Sequence, residues 1–175
     1  EKTPVIFVSG HFSNFELMAM EIEKSGVNLS AIYRPLNNIF LNILMERIRK
    51  KYICKNQIKK GTSGVRELLR LYKKGYSIAL MIDQRVSQGI KSKFFNEEAF
   101  TTTIPAQFIK KFNCKVVPIT IERHNGVNFN IKVEKPIEFS KNSSTEKITR
   151  ELNIWLEKII LKNPGEWIWS HDRWK

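Results

Sequence analysis

A chain of 175 residues, 42% hydrophobic and 27% charged, is one ordinary domain's worth with apolar material enough for a core, which excludes a disordered tail. Its 30 Lys and Arg against 17 Asp and Glu leave a net charge of +13, a field that attracts polyanions such as nucleic acid, an anionic membrane face, phosphorylated lipid or an acidic protein. The two cysteines, Cys54 and Cys114, lie far apart in no ligand spacing, against a disulfide framework or zinc site and in keeping with a reducing cytoplasm.

In chain order, strands and helices alternate. An apolar strand is expected over 4–9, then a helix over 13–25 with Leu17, Met20 and Ile22 among its buried candidates. A strand over 29–33 leads to an amphipathic helix over 37–52. That helix carries Phe40, Leu41, Leu44 and Ile48 on one face and Arg47, Arg49, Lys50 and Lys51 elsewhere. A helix near 62–74 ends at Gly75, and a strand covers 77–82. A loop is expected over 84–100, a helix over 104–112 and a strand over 115–121. Asn125-Gly126 marks a hairpin pairing 116–121 with 128–134, and a helix over 145–162 closes the pattern. The whole predicts a single domain over 1–175 of α/β class, a layered mixed sheet flanked by helices.

The longest apolar runs, 4–8 and 78–82, fall well short of the about 18 residues that cross a bilayer, and read as buried strands. No signal-peptide pattern occurs, and the chain enters a strand almost at once without an initiator Met. An upstream segment is therefore expected.

The densest chemistry lies in Ser9-Gly10-His11-Phe12-Ser13-Asn14-Phe15-Glu16, between an apolar strand and a helix. Ligands of open α/β sheets bind at such strand ends. A carboxylate on one imidazole nitrogen of His11 fixes the tautomer and leaves the other free to take a proton; Glu16, in the first turn of the following helix, is placed to supply it. The competing reading is local: Ser13-x-x-Glu16 is also a capping box, which makes His11 a plain turn residue. Arg34, between a strand and Pro35, suits a phosphate or an oxyanion, or else a surface ion pair. Asp83-Gln84 follows the strand 77–82; the acid holds an active-site cation such as Arg34, or forms a turn. Phe94, Phe95 and Phe100 line an apolar groove or belong to the core. Trp167, Trp169 and Trp174 meet lipid headgroups or pack a tail. His124 reads as structural.

These pieces occur in an order that resembles the bacterial late acyltransferases of lipid A biosynthesis (lauroyl and myristoyl transferases), within the wider glycerolipid and lysophospholipid acyltransferase superfamily. The resemblance runs through nearly the whole chain. It is carried by Gly10–Glu16, Tyr33-Arg34-Pro35-Leu36-Asn37-Asn38, Asp83-Gln84, Gly89, Phe94-Phe95, Ala99 with Thr101, Pro118 and the closing Trp167–Trp174. One departure is Asn96, where relatives often have glycine.

The resemblance implies a glycerolipid acyltransferase-like fold, with His11 as general base and Glu16 as its acidic partner. It implies an acyl carrier protein or acyl-CoA donor, a hydroxyl on a lipid A precursor as acceptor, and no metal or organic cofactor. Substrate-binding candidates are Asn14, Arg34, Arg47, Asp83 and Gln84; an arginine near the end of helix 37–52 is implicated in the family, and Arg47 and Arg49 both lie there. The tetrahedral oxyanion needs donors, with backbone amides near the helix start or an arginine as candidates. The expected location is the cytoplasmic face of the bacterial inner membrane, through a missing N-terminal anchor or peripherally through the basic helix. A lysophospholipid or glycolipid acceptor is the nearer alternative. A nucleic-acid-binding module is the farther one, against which stand scattered lysines and the lack of a recognition motif; no nucleic acid is expected as partner.

Overall fold

The computed structural model describes residues 3–175. The elements are, in order, β1 (Ile6–Ser9), α1 (Glu16–Lys24), β2 (Leu29–Tyr33), α2 (Ile39–Tyr52), β3 (Asn56–Lys59), α3 (Thr62–Lys73), β4 (Ser77–Met81), β5 (Ile90–Phe94), β6 (Glu97–Thr101), α4 (Ile104–Phe112), β7 (Val116–His124), β8 (Asn128–Val133) and α5 (Thr145–Lys162), with a 3₁₀ turn at Pro164–Glu166. Six strands form a sheet in the order β3-β2-β4-β1-β7-β8, and β5-β6 stand apart as a hairpin. β2 pairs in parallel with β3 and β4, and β7 with β8 antiparallel, so the sheet is mixed and the class is α/β as expected. By backbone proximity the chain resolves into two compact units, one of residues 3–7 and 16–80, the other of 8–15 and 81–175.

In the first unit, the three parallel strands bury Leu29, Ile58 and Ile78, and the helices bury Met18 and Ile22 of α1 and Leu68, Leu71 and Tyr72 of α3. Helix α1 begins at Glu16, three residues later than expected, because Ser13 has a left-handed φ of 43°. The Ser13 hydroxyl is buried without a hydrogen-bond partner, so no capping box forms. Helix α2 is capped instead in the ordinary way: Asn38 Oδ1 accepts from Phe40 N at 3.0 Å and Leu41 N at 3.1 Å. Strand β3 was not expected. Its four residues, Asn56-Gln57-Ile58-Lys59, bury only Ile58, too little apolar pattern to read as a strand.

In the second unit, the expected loop over 84–100 is in large part the β5-β6 hairpin. Phe95 and Asn96 form its turn, with φ of 51° and 66°, the left-handed pair that matches strand twist. Asn96 thus adopts the conformation a glycine takes most readily. The hairpin escapes the sequence pattern because β5 reads Ile-Lys-Ser-Lys-Phe and β6 Glu-Glu-Ala-Phe-Thr, both mostly polar. Helix α5 holds it: buried Asn153 donates through Nδ2 to Lys93 O at 2.9 Å, and Glu157 accepts from Phe95 N at 3.1 Å. The β7-β8 hairpin turns at Asn125-Gly126 as expected, both with positive φ.

Candidate active site

In the second unit the chain leaves β1 at Ser9, passes Gly10 and presents His11. Gly10 is required by space: a Cβ there meets Phe12 Cε2 at 2.7 Å and Leu156 Cδ1 at 3.0 Å. Beyond β4, two residues on from Met81, comes Asp83, 3% exposed. Its Oδ1 accepts from His11 Nδ1 at 2.7 Å, and its Oδ2 from the His11 backbone N at 2.8 Å. Trp167 Nε1 also donates to Oδ2, at 2.9 Å. Burial works to raise the Asp83 pKa, but the bonds from His11 and Trp167 outweigh it and hold the carboxyl below its usual range.

A carboxylate can only accept, so the hydrogen shared with Asp83 belongs to Nδ1. Neutral His11 then presents a lone pair on Nε2, near which Gln84 Nε2 lies at 3.5 Å. The Phe15 ring stands edge-on to the imidazole, with centroids 4.6 Å apart. The imidazole is 19% exposed, so a reactant has access to it. A tautomer fixed by a buried anion, with one nitrogen free, is the equipment of a general base.

The loop bearing His11 is fastened by the C-terminal segment. Phe12 and Trp167 form an antiparallel bridge, Ile168 N donates to His11 O at 2.9 Å, and Ser13 N to Glu166 O at 2.8 Å. Arg173 lies fully buried: Nη1 donates to Phe100 O at 2.8 Å, Nη2 to Thr101 Oγ1 at 2.6 Å, and the guanidinium sits 5.0 Å from the centre of the Phe94 ring. Burial pulls its pKa down to about 10 against the opposing pull of the Asp83 charge. Phe94 is fully buried against Trp167 and Trp174 and so serves the core.

The model of the bacterial lipid A biosynthesis acyltransferase family matches residues 1–175. The chain belongs to that family. It is 24% identical over 178 residues to the lipid A biosynthesis acyltransferase of Haemophilus influenzae, an overlap that takes in all of this chain and 57% of that protein. The chain therefore spans a little over half the length of this relative.

The remaining acyltransferase candidates divide between the units. In the second, Asn14 is exposed and its Oδ1 accepts from Arg123 Nη2 at 3.3 Å. In the first, Glu16 is ion-paired with Arg49, whose Nε and Nη2 lie 2.8 and 2.6 Å from the same carboxylate oxygen. The Arg49 guanidinium is 5.7 Å from the Tyr33 ring centre. The Tyr33 hydroxyl donates to Glu46, which Asn42 Nδ2 at 2.7 Å and Lys59 Nζ at 3.3 Å also reach. That hydroxyl is the largest influence holding the Glu46 pKa down at about 2. Arg34 is exposed beside Lys60, whose pKa is lowered by burial and then by the Arg34 charge. Arg47 is exposed on α2.

Of the two arginines near the end of α2, then, Arg49 is the one joined to Glu16. Sequence reasoning left that choice open, and the only sign available was spacing. Trp167 and Arg173 lie in the closing segment Trp167–Trp174 that carries part of the resemblance, but nothing in the sequence ties either to Asp83.

Proposed function

We propose that this chain carries the reaction centre of a lipid A biosynthesis acyltransferase, which moves a fatty acyl group from an acyl carrier protein or coenzyme A thioester to a hydroxyl of a lipid A precursor. The observation behind this reading is the His11–Asp83 pair, with its fixed Nδ1–H and open Nε2. His11 Nε2 takes the proton of the acceptor hydroxyl as its oxygen bonds to the thioester carbonyl carbon. The tetrahedral intermediate collapses with cleavage of the carbon–sulfur bond, and the departing thiolate takes the proton from His11. Asp83 orients the imidazole and stabilises its charged form. Glu16 acts through Arg49 as a positioning residue, the two fixed by their ion pair. Gln84 and Asn14 flank the acceptor.

Arg34 and Lys60 bring two cations together, an arrangement suited to a phosphate. The enzyme works at the cytoplasmic face of the inner membrane; among the described residues no helix is long and apolar enough to cross a bilayer.

The test uses the full-length enzyme containing this chain, acyl carrier protein and coenzyme A thioesters, and a lipid A precursor competing with lysophospholipids. Transfer to the lipid A precursor that disappears in His11→Ala supports the reading. Transfer to lysophospholipid alone replaces the acceptor, and His11→Ala activity equal to wild type overturns the base.

A further inference from the structure

Helix α2 is built inside out. Its side chains withdrawn from solvent are Asn42, Met45, Glu46 and Arg49, at the i, i+3, i+4, i+7 spacing that ordinarily carries an apolar stripe. Three of the four are polar, and their bonds to Tyr33, Lys59 and Glu16 hold the helix in place. No α2 residue is buried. Its apolar side chains point outward: Ile39 is 73% and Phe40 84% exposed, with Leu41, Ile43, Leu44 and Ile48 also open to solvent. At 3.6 residues per turn the outward residues cover about 220° of the circumference. Arg47, Lys50 and Lys51 share that arc, and the single carboxylate of α2, Glu46, belongs to the inner stripe.

We infer that the outer face of α2 lies in the headgroup and upper acyl region of an anionic bilayer. The argument is complementarity. An arc carrying three cations and no anion matches a negatively charged surface, and apolar side chains ahead of them match the acyl boundary beneath it. The breadth of the arc favours lipid over a protein groove, which takes up a narrow stripe of a helix. The polar inner stripe has a consequence as well: the helix keeps its fold-facing bonds when its outer face enters lipid. The proposal leans on the acyltransferase reading only in choosing lipid as the partner.

The experiment is co-flotation of the chain with vesicles of phosphatidylglycerol and phosphatidylethanolamine, alongside vesicles of phosphatidylcholine alone. Wild type is expected to float with the anionic vesicles, and the doubly substituted Ile39→Asp, Phe40→Asp protein to lose at least about tenfold in partitioning. Both side chains are exposed, so a native circular dichroism spectrum is expected for the variant. Lys50→Glu with Lys51→Glu is expected to weaken anionic-vesicle binding by at least about twentyfold, with the loss shrinking in high salt. Phe40→Trp should show an indole emission shifted to the blue on adding vesicles. Equal flotation of wild type and the Asp variant overturns the proposal. So does a wild-type chain that leaves vesicles alone and instead self-associates, or binds acyl carrier protein, through α2. Flotation is read without turnover: a full-length enzyme that binds through α2 but transfers no acyl group sinks the acyltransferase reading and leaves this one standing.

Discussion

Trp167 donates its indole N–H to Asp83 Oδ2 at 2.9 Å, so a residue only eight from the end of the chain braces the carboxylate that fixes His11. Trp167→Phe keeps most of the packing and removes that donor. Leaving one buried carboxylate oxygen short of a partner is expected to cost about 1–3 kcal/mol in urea unfolding at neutral pH. The sign with pH follows from linkage. The folded pKa of Asp83 is depressed, so its contribution is present above the unfolded value and is lost as pH falls through the folded one. Without the indole the folded pKa rises, and the loss begins at a higher pH. A variant whose acid unfolding coincides with wild type refutes the bracing role.

Asp83→Asn tests orientation apart from folding. Two N–H groups already donate at the Oδ2 position, so the amide oxygen takes that place and its NH2 donates to Nδ1, which imposes the opposite tautomer and deprives the developing imidazolium of its counter-charge. By analogy with serine-protease triads the turnover number is expected to fall by about 10⁴. Binding of a lipid acceptor is expected to change little, as measured by calorimetry. Glu16→Gln run beside it gives the comparison: a larger loss there than in Asp83→Asn would return the orienting role to Glu16.

The limits of the sequence can be seen in the same residues. The strand–turn–helix around His11 was legible because an apolar run, a glycine and a polar cluster are local features. The carboxylate opposite the imidazole was not, because Asp83 reaches it through the sheet from 72 residues away. The sequence reads Asp83 as an acid at a strand end that holds an active-site cation such as Arg34 or forms a turn, whereas the structure bonds it to His11. Helix α2 marks a different limit. Its apolar positions were legible, but periodicity gives the faces of a helix without saying which one turns inward. Tyr33, Lys59 and Glu16 decide that by bonding to the polar side, and those contacts are tertiary.

Glu16 and Arg49 are expected to behave as one unit. Their side chains are 33% and 17% exposed, so a double-mutant cycle between Glu16→Gln and Arg49→Ala should give a coupling of about 1 kcal/mol in unfolding. In acyl transfer the double variant should be no slower than the slower single, since losing either partner releases the other. Multiplicative losses in rate would show that the two act separately.

Gly10 supplies a purely steric test of the loop before His11. Gly10→Ala drives a methyl to within 2.7 Å of Phe12, whose ring is 3% exposed and hemmed in, and to within 3.0 Å of Leu156. Overpacking of this kind is expected to cost about 1–3 kcal/mol, and any shift of the loop moves His11 relative to Asp83. Thermal melting and turnover should therefore fall together. A stable but inactive Gly10→Ala protein would locate the strain in the His11 geometry alone.

Glu46 allows the polar stripe of α2 to be read directly. Its carboxyl is held at about 2, first by the Tyr33 hydroxyl and then, against the effect of burial, by Asn42 and Lys59. Because the folded pKa lies below the ordinary glutamate value of 4.5, its stabilising contribution is complete above about 4.5 and fades as pH falls toward about 2. Tyr33→Phe removes the leading cause, so the carboxyl should titrate at a higher pH and the loss of stability should begin sooner on acidification. Carbon-detected NMR of the Glu46 carboxyl measures the first, and acid-induced unfolding followed by circular dichroism the second. If the Glu46 resonance titrates identically in both proteins, the hydroxyl is not what holds the charge, and Lys59 and Asn42 must carry it.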